Sequence, residues 1–253
     1  MSEPKISFRI LHRCDFDCPS CSTFSGPHRR GQMLATDFDL AMEILAGEGF
    51  VGQLNISGGE TTLHPDLTSM LSNAANRLPG ASSICVFTNG HWVGREGWRD
   101  RLAALSAGPN ILIRFSLDRW HAVGQVQAAG DEPTEERVLA AEKERIEKAR
   151  QFIGAGHDLG LEPGRHFDFA FKGSRAEGAA YMQDLGDVPL YLIPFRSRPA
   201  QRPKEYGFFA VDVTDEDQTL VYPTLGHIPT NEPAGGLERL AEVLARNRRE
   251  LDA

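Results

Sequence analysis

Three features of the sequence predict an α/β fold, a parallel sheet with helices packed outside it, open or closed into a barrel. Short β-rich runs alternate with longer helical ones as far as about residue 193. A length of 253 residues, 41% of them hydrophobic and 25% charged, is enough to bury a full core without disulfide staples. The unusual residues also gather just after strand-like runs, where parallel α/β sheets carry their chemistry.

The elements follow in order. Residues 5–12 alternate apolar and polar, as a half-buried strand does. Thr36 is placed to cap a helix over 37–47, whose Phe38, Ala41, Met42 and Leu45 share one face, and Gly47 and Gly49 end it. A second strand, 51–57, runs into Ser57-Gly58-Gly59-Glu60. Pro65 suits a first helical turn, and that helix continues to Leu78 before Pro79-Gly80. Strand three, 82–87, ends in Thr88-Asn89-Gly90, and a helix over 95–106 leads to strand four, 111–117, ending in Ser116-Leu117-Asp118.

Residues 121–133 are rich in Gly, Gln and Ala without a clear period and read as a long loop over the site. Pro133-Thr134 open a charged helix to Ile153, and a fifth strand, 166–171, alternates with period two. A short helix over 173–187 and a sixth strand over 188–193 complete the core. Beyond lie a Pro/Arg-rich loop (194–204, with Arg196, Arg198 and Arg202), a hairpin from 207–213 and 218–222, and a helix over 236–250. The chain therefore divides into a core, 1–193, and a hairpin–helix extension, 194–253, packed on it.

Charge and hydropathy exclude some functions. A formal charge of −8 argues against a protein whose main task is gripping nucleic-acid backbone. No run approaches ~18 consecutive apolar residues, so no membrane-spanning helix is expected. Residues 1–5 hold no secretory hydrophobic region, and a cytoplasmic location is the expectation.

Cysteine placement is the anomaly. Of four cysteines, Cys14, Cys18 and Cys21 fall on one short segment, too close together to pair well as disulfides, and Cys85 lies mid-strand as a small core residue. A C-x3-C-x2-C segment reads as metal or redox chemistry. Three thiolates suit an iron–sulfur centre with one iron left open. Structural zinc, completed by His28 or His12, is the other reading.

The ordered series Cys14-x3-Cys18-x2-Cys21, Ser57-Gly58-Gly59-Glu60, Thr88-Asn89-Gly90 and Ser116-Leu117-Asp118 resembles the radical S-adenosylmethionine superfamily, over about residues 5–172. The resemblance implies a partial (β/α)6 barrel, one 4Fe–4S cluster on Cys14, Cys18 and Cys21, and S-adenosyl-L-methionine bound at the open iron. It implies that Gly58, Gly59 and Glu60 hold the methionyl amine, the two glycines allowing close approach. It implies that Ser116 and Asp118 meet the ribose or carboxylate of the cofactor. Asn89 either lines the same cavity or makes a tight turn. His121, at the rim beyond Asp118, is the candidate to donate to substrate or exchange a proton, its other reading being exposed scaffold. Asp168 and Lys172 are weaker candidates to point into the barrel.

Two departures stand out. The family's aromatic residue before the third cysteine is replaced by Ser20, and no cysteine follows Cys85, so auxiliary clusters lack ligands. The resemblance implies reductive cleavage to a 5′-deoxyadenosyl radical, which takes hydrogen from a small-molecule or peptide substrate, with flavodoxin or ferredoxin as electron donor. An activase for a glycyl-radical enzyme is the second reading, and a zinc-stabilised binding module without catalysis the third.

Overall fold

The computed structural model describes residues 5–193, apart from 22, 24, 174, 184 and 187, together with two-residue strands at 209–210, 213–214 and 220–221. The elements run β1 (Lys5–Leu11), α1 (Ala35–Gly47), β2 (Gln53–Gly58), a 3-10 turn (Thr61–Leu63), α2 (Leu67–Arg77), β3 (Ser83–Thr88), α3 (Trp98–Leu105) and β4 (Ile111–Ser116). They continue with α4 (Arg119–Ala128), α5 (Glu135–Asp158), β5 (Phe167–Lys172), α6 (Arg175–Met182), β6 (Leu190–Ile193), β7 (Phe209–Ala210), β8 (Val213–Thr214) and β9 (Leu220–Val221).

The main sheet has the order β6-β5-β4-β3-β2-β1-β7. The first six strands pair in parallel, each beside its sequence neighbour, and β7 closes the β1 edge antiparallel. Parallel neighbours need a crossover connection, which the helices supply. The order places the carboxyl ends of β1 to β4 side by side.

The apolar core fills one side of the sheet. Ile6, Phe8, Ile10, Leu54, Ile56, Ile84, Val86, Ile113, Phe115, Phe167 and Phe169 alternate onto that face and are essentially inaccessible. The intervening positions form a polar layer. Asn55 Nδ2 donates to Ser7 Oγ at 3.2 Å, and Arg114 forks onto Asp168 through Nε (2.8 Å) and NH2 (2.6 Å). The Arg114 guanidinium lies 3.9 Å from the Tyr191 ring centroid. Cys85 is wholly buried in reach of the Arg114 and Asp168 charges, so it belongs to this polar side.

Four expectations need correction. Helix α1 begins before Thr36: its first amides, from Asp37 and Phe38, bond to the Leu34 carbonyl, so Thr36 already lies inside the first turn. Residues 121–133 are not a long loop, since α4 occupies 119–128. Its buried face is made of Ala122, Gly124 and Val126, residues too small to show an apolar period. Strand β5 keeps its period-two alternation, with Phe167 and Phe169 in the core and Asp168 in the polar layer, and its first five residues are buried. Helix α5 continues past Ile153 to Asp158, where Phe152 and Ala155 still meet the core. In the C-terminal region β7 leaves the expected hairpin to join β1, while β8 pairs antiparallel with β9. The expected helix over 236–250 and the arginines at 196, 198 and 202 lie outside the described residues.

Candidate functional site

The ends of β1 and β2 are fastened together by the chain itself. Gly59 N donates to Leu11 O at 2.6 Å and Glu60 N to Arg13 O at 3.0 Å. A Cβ on Gly59 would stand 1.9 Å from the Arg13 carbonyl oxygen. Glycine is therefore required here by contact with the segment entering the cysteine loop, a constraint internal to the protein. Thr23 Oγ1 donates to Gly58 O at 2.8 Å and fixes the far side of the loop.

Glu60 is 1% exposed and gathers the neighbouring strand ends. Its Oε1 accepts from Thr62 N (3.1 Å), Thr62 Oγ1 (2.6 Å) and Thr88 Oγ1 (2.7 Å), and its Oε2 from Asn89 N (2.6 Å). Burial and the Asp15 charge push its carboxyl above the ordinary range, against the pull of these hydrogen bonds.

Asn89 makes a turn and also reaches back to the cysteine loop. Its Oδ1 accepts from His91 N at 2.8 Å, an Asx turn, and its Nδ2 donates to Asp15 Oδ1 at 2.7 Å and approaches Cys14 Sγ at 3.7 Å. His91, not foreseen in the sequence, places Nδ1 2.5 Å from Asp15 Oδ2. The cysteine loop is thus clamped to the β3 end as well. Burial pushes the Asp15 carboxyl up, but the hydrogen bonds from His91 and Asn89 outweigh it and hold it below the ordinary range. Phe16, 1% exposed, packs with ring centroids 5.3 Å from His91 and 6.5 Å from His121.

At the β4 end, Asp118 is the N-cap of α4. Its Oδ1 accepts from His121 N (3.0 Å) and pairs with His121 Nδ1 (2.8 Å), and its Oδ2 accepts from Lys172 N (3.3 Å). Asp118 is 2% exposed, and although burial raises its carboxyl, the His121 charge and hydrogen bonds hold it below the ordinary value. Ser116 is half-buried, and its carbonyl accepts a short hydrogen bond from Arg145 NH2. Lys172 Nζ donates to the Ser20 carbonyl at 2.5 Å, which anchors the loop next to its third cysteine. Asp168 stands apart from this group in its pair with Arg114.

Besides His91, the structure adds two residues that sequence reasoning missed. Arg145, 2% exposed on α5, lies with its guanidinium 5.1 Å from the Phe16 ring and in reach of the Asp118 and Cys18 charges, and its Nε has no hydrogen-bond partner. A buried cation with an unused donor is suited to an anionic group. Gly124 on α4 lies against Cys18: a Cβ there would meet Cys18 Sγ at 2.5 Å. Neither carries a sequence signal, since one reads as a charged-helix arginine and the other as loop glycine.

The cysteines are all free thiols, and Cys14 and Cys21 are part-exposed while Cys18 is 9% exposed. Burial first, then Glu60, pushes the Cys14 thiol far up; burial, then Cys21 and Cys14, does so at Cys18. The three sulfurs therefore share one electrostatic environment. Among the described residues, no group of three His, Cys, Asp or Glu side chains is arranged to hold a single metal ion. No helix among them is long and apolar enough to cross a membrane.

No family model matches the chain. Over 113 residues it is 26% identical to the antilisterial bacteriocin subtilosin biosynthesis protein AlbA of Bacillus subtilis (strain 168), a stretch covering 44% of this chain and 23% of AlbA. Streptococcus suis SuiB bound to S-adenosylmethionine superposes with a TM-score of 0.51 at 14% identity, covering 81% of this chain and 44% of that one. Native anSMEcpe with bound AdoMet gives 0.54 at 14% identity, covering 81% and 55%. At such identities the shared feature is the fold. The chain spans about half the length of these solved chains and under a quarter of AlbA is matched.

Proposed function

The chain carries the fold and the ordered motifs of the radical S-adenosylmethionine superfamily, and from that premise we propose that it is an enzyme that modifies a peptide by hydrogen-atom abstraction. The observation that carries this reading is the convergence of four motifs on one rim, with Glu60 and Asp15 tying the cysteine loop to the ends of β2 and β3. Peptide as substrate is supported by the solved complexes of SuiB with precursor peptide SuiA and of anSMEcpe with AdoMet and the Cp18Cys peptide, and by the biosynthetic role in AlbA's name.

Cys14, Cys18 and Cys21 are the proposed ligands of one 4Fe–4S cluster. The donor set fits: three free thiols on one loop, within reach of one another's charge, suit iron that prefers thiolates and leave one iron open. When bound, the cluster supplies the electron that splits the sulfonium of S-adenosylmethionine and generates the 5′-deoxyadenosyl radical.

The remaining roles fall to the chain. Glu60 Oε2 accepts one hydrogen bond against three at Oε1, so it retains capacity for the methionyl ammonium. The free Nε of Arg145 suits the methionyl carboxylate. Ser116 and Asp118 are the proposed contacts to the ribose or carboxylate of the cofactor, and Asp118 also orients His121. With His121 Nδ1 held by that carboxylate, Nε2 is the atom to exchange a proton with substrate. The buried Phe16 ring beside the cysteine loop helps keep water from the radical. A flavodoxin or ferredoxin is the proposed electron source, and a reducing cytoplasm, which keeps thiols free, the proposed location.

The test is anaerobic reconstitution. The protein should turn brown, take up about four iron per chain and release 5′-deoxyadenosine from S-adenosylmethionine with dithionite. A Cys14/Cys18/Cys21→Ala variant should do neither. Tight zinc with no iron uptake would overturn the reading. Glu60→Ala should weaken cofactor binding with iron content kept.

A further inference from the structure

Asn89 is buried, and the bonds it makes fix its orientation. Its backbone N donates to Glu60 Oε2 at 2.6 Å, and its Oδ1 accepts from His91 N at 2.8 Å. One Nδ2 proton goes to Asp15 Oδ1 at 2.7 Å, and Asp15 Oδ2 is held in turn by His91 Nδ1. The amide is not free to turn over, because its oxygen would then face a carboxylate and its NH2 group the His91 N–H. Nδ2 carries a second proton, and Cys14 Sγ lies 3.7 Å away to receive it.

The three sulfurs of the loop are not equivalent. Cys14 Sγ accepts from Phe16 N at 3.4 Å as well as from Asn89 Nδ2. Cys21 Sγ lies 3.2 Å from Thr23 Oγ1, but that hydroxyl has a single proton and gives it to Gly58 O at 2.8 Å. Cys18 packs against Gly124, and its sulfur meets no N–H donor among the described residues. Side-chain N–H donation therefore falls on Cys14, and it comes from an amide fastened on its other sides.

We propose that Asn89 tunes the centre on Cys14, Cys18 and Cys21 through Cys14, its side-chain N–H···S bond raising the reduction potential of the cluster. This rests on the reading of those cysteines as cluster ligands. On reduction a one-electron donor loses an electron and the cluster gains it; no bond forms or breaks. The added negative charge falls in part on the thiolate sulfurs, so an N–H aimed at one of them bonds more strongly to the reduced state than to the oxidised one. Hydrogen bonds to the sulfurs are among the factors that set cluster potentials. Asp15 and the turn onto His91 hold the amide in place before the electron arrives, so the donor has no reorganisation to undergo. Asn89 is thus a positioning residue, acting on the cluster through one of its ligands.

The experiment is a redox titration of iron-loaded protein followed by EPR, which reads the loaded fraction whatever its yield. Asn89→Ser keeps an oxygen for the turn onto His91 N but is too short to reach Cys14. Its midpoint should move to more negative potential. At the wild-type midpoint the ratio of reduced to oxidised cluster should fall about three- to tenfold, the weight of one ordinary hydrogen bond. A midpoint that stays in place or moves upward overturns the proposal. A second measurement uses wild-type protein with isotope-labelled nitrogen in its asparagine side chains. Pulsed EPR of the reduced cluster should show a weak coupling to that nitrogen, lost in Asn89→Ser, which a residue that only shaped the turn would not produce. No coupling in the wild type, or one that persists in the variant, overturns the proposal. Should Asn89→Ser take up no iron, the wild-type coupling decides by itself. Wild-type protein that takes up no iron refutes the cluster reading and this inference with it, and that outcome is recorded before any titration.

Discussion

Single residues at this rim are held by more than one constraint. Gly59 is the sharpest case, because a methyl group would collide with the Arg13 carbonyl at 1.9 Å. Backbone cannot yield as a flexible side chain can, so Gly59→Ala should cost about 1–3 kcal/mol or more, read as a lowered urea midpoint in iron-free protein. Lys172 ties Ser20, beside Cys21, to the end of β5. Lys172→Met keeps the stem but loses that bond, and should reduce iron retained per chain while far-UV circular dichroism stays unchanged. Asp118 has a carboxyl held below its ordinary value of 3.8, burial notwithstanding, by His121. A depressed carboxyl adds stability that is full above the unfolded value and is lost as pH falls through the folded one. The stability advantage of wild type over Asp118→Asn should therefore be lost as pH falls below 3.8, as measured by urea unfolding at stepped pH. An advantage that persisted there would mean that the Asp118 charge is not its source.

Helix α4 shows what an element can hide. Asp118 caps it, Ala122 and Val126 pack on Val138 and Ala141 of α5, and Gly124 lets it touch the cysteine loop, where its carbonyl accepts from Asp17 N at 3.0 Å. Replacing the cap by Asp118→Ala should cost about 1 kcal/mol, within a range of roughly 0.5–2. Gly124→Ala favours the isolated helix by roughly 0.5–1 kcal/mol, yet its methyl would press on Cys18 at 2.5 Å. The expected outcome is a folded protein with fewer iron per chain after reconstitution; full iron loading would contradict the close packing of α4 on the loop.

In the whole molecule, a parallel sheet with one apolar and one polar side brings four strand ends to a common rim. The Arg114–Asp168 pair, with side chains 7% and 8% exposed, sits in the polar layer and bridges β4 to β5. Removing one member leaves the other buried and unpaired, so Asp168→Ala should cost about 3–5 kcal/mol. Arg114→Met/Asp168→Leu should recover most of that loss, a pairing that a double-mutant cycle in urea measures directly. The charges of this polar layer are therefore neutralised against each other, while buried Arg145 keeps an Nε without a hydrogen-bond partner.

Strand positions and motif placement were legible because period-two runs, glycines and cysteines leave local marks: Cys14, Cys18, Cys21, Gly58–Glu60, Thr88–Gly90 and Ser116–Asp118 all lie at the ends or on the connections where the pattern put them. Helix α4 was not legible, because its buried face of Ala122, Gly124 and Val126 is small and interrupted by a glycine, which leaves no clear apolar period. The sequence by itself determined a parallel α/β sheet and the set of groups at its rim, since both follow from local periodicity and residue chemistry. Only the tertiary structure decided how those groups are used: that Glu60 ties strand ends together, that Asp118 accepts from Lys172 at the end of β5, and that Arg145 is a buried cation with a free donor. Each depends on partners tens of residues away, and hydrogen bonding and burial at that range are properties of the packed chain.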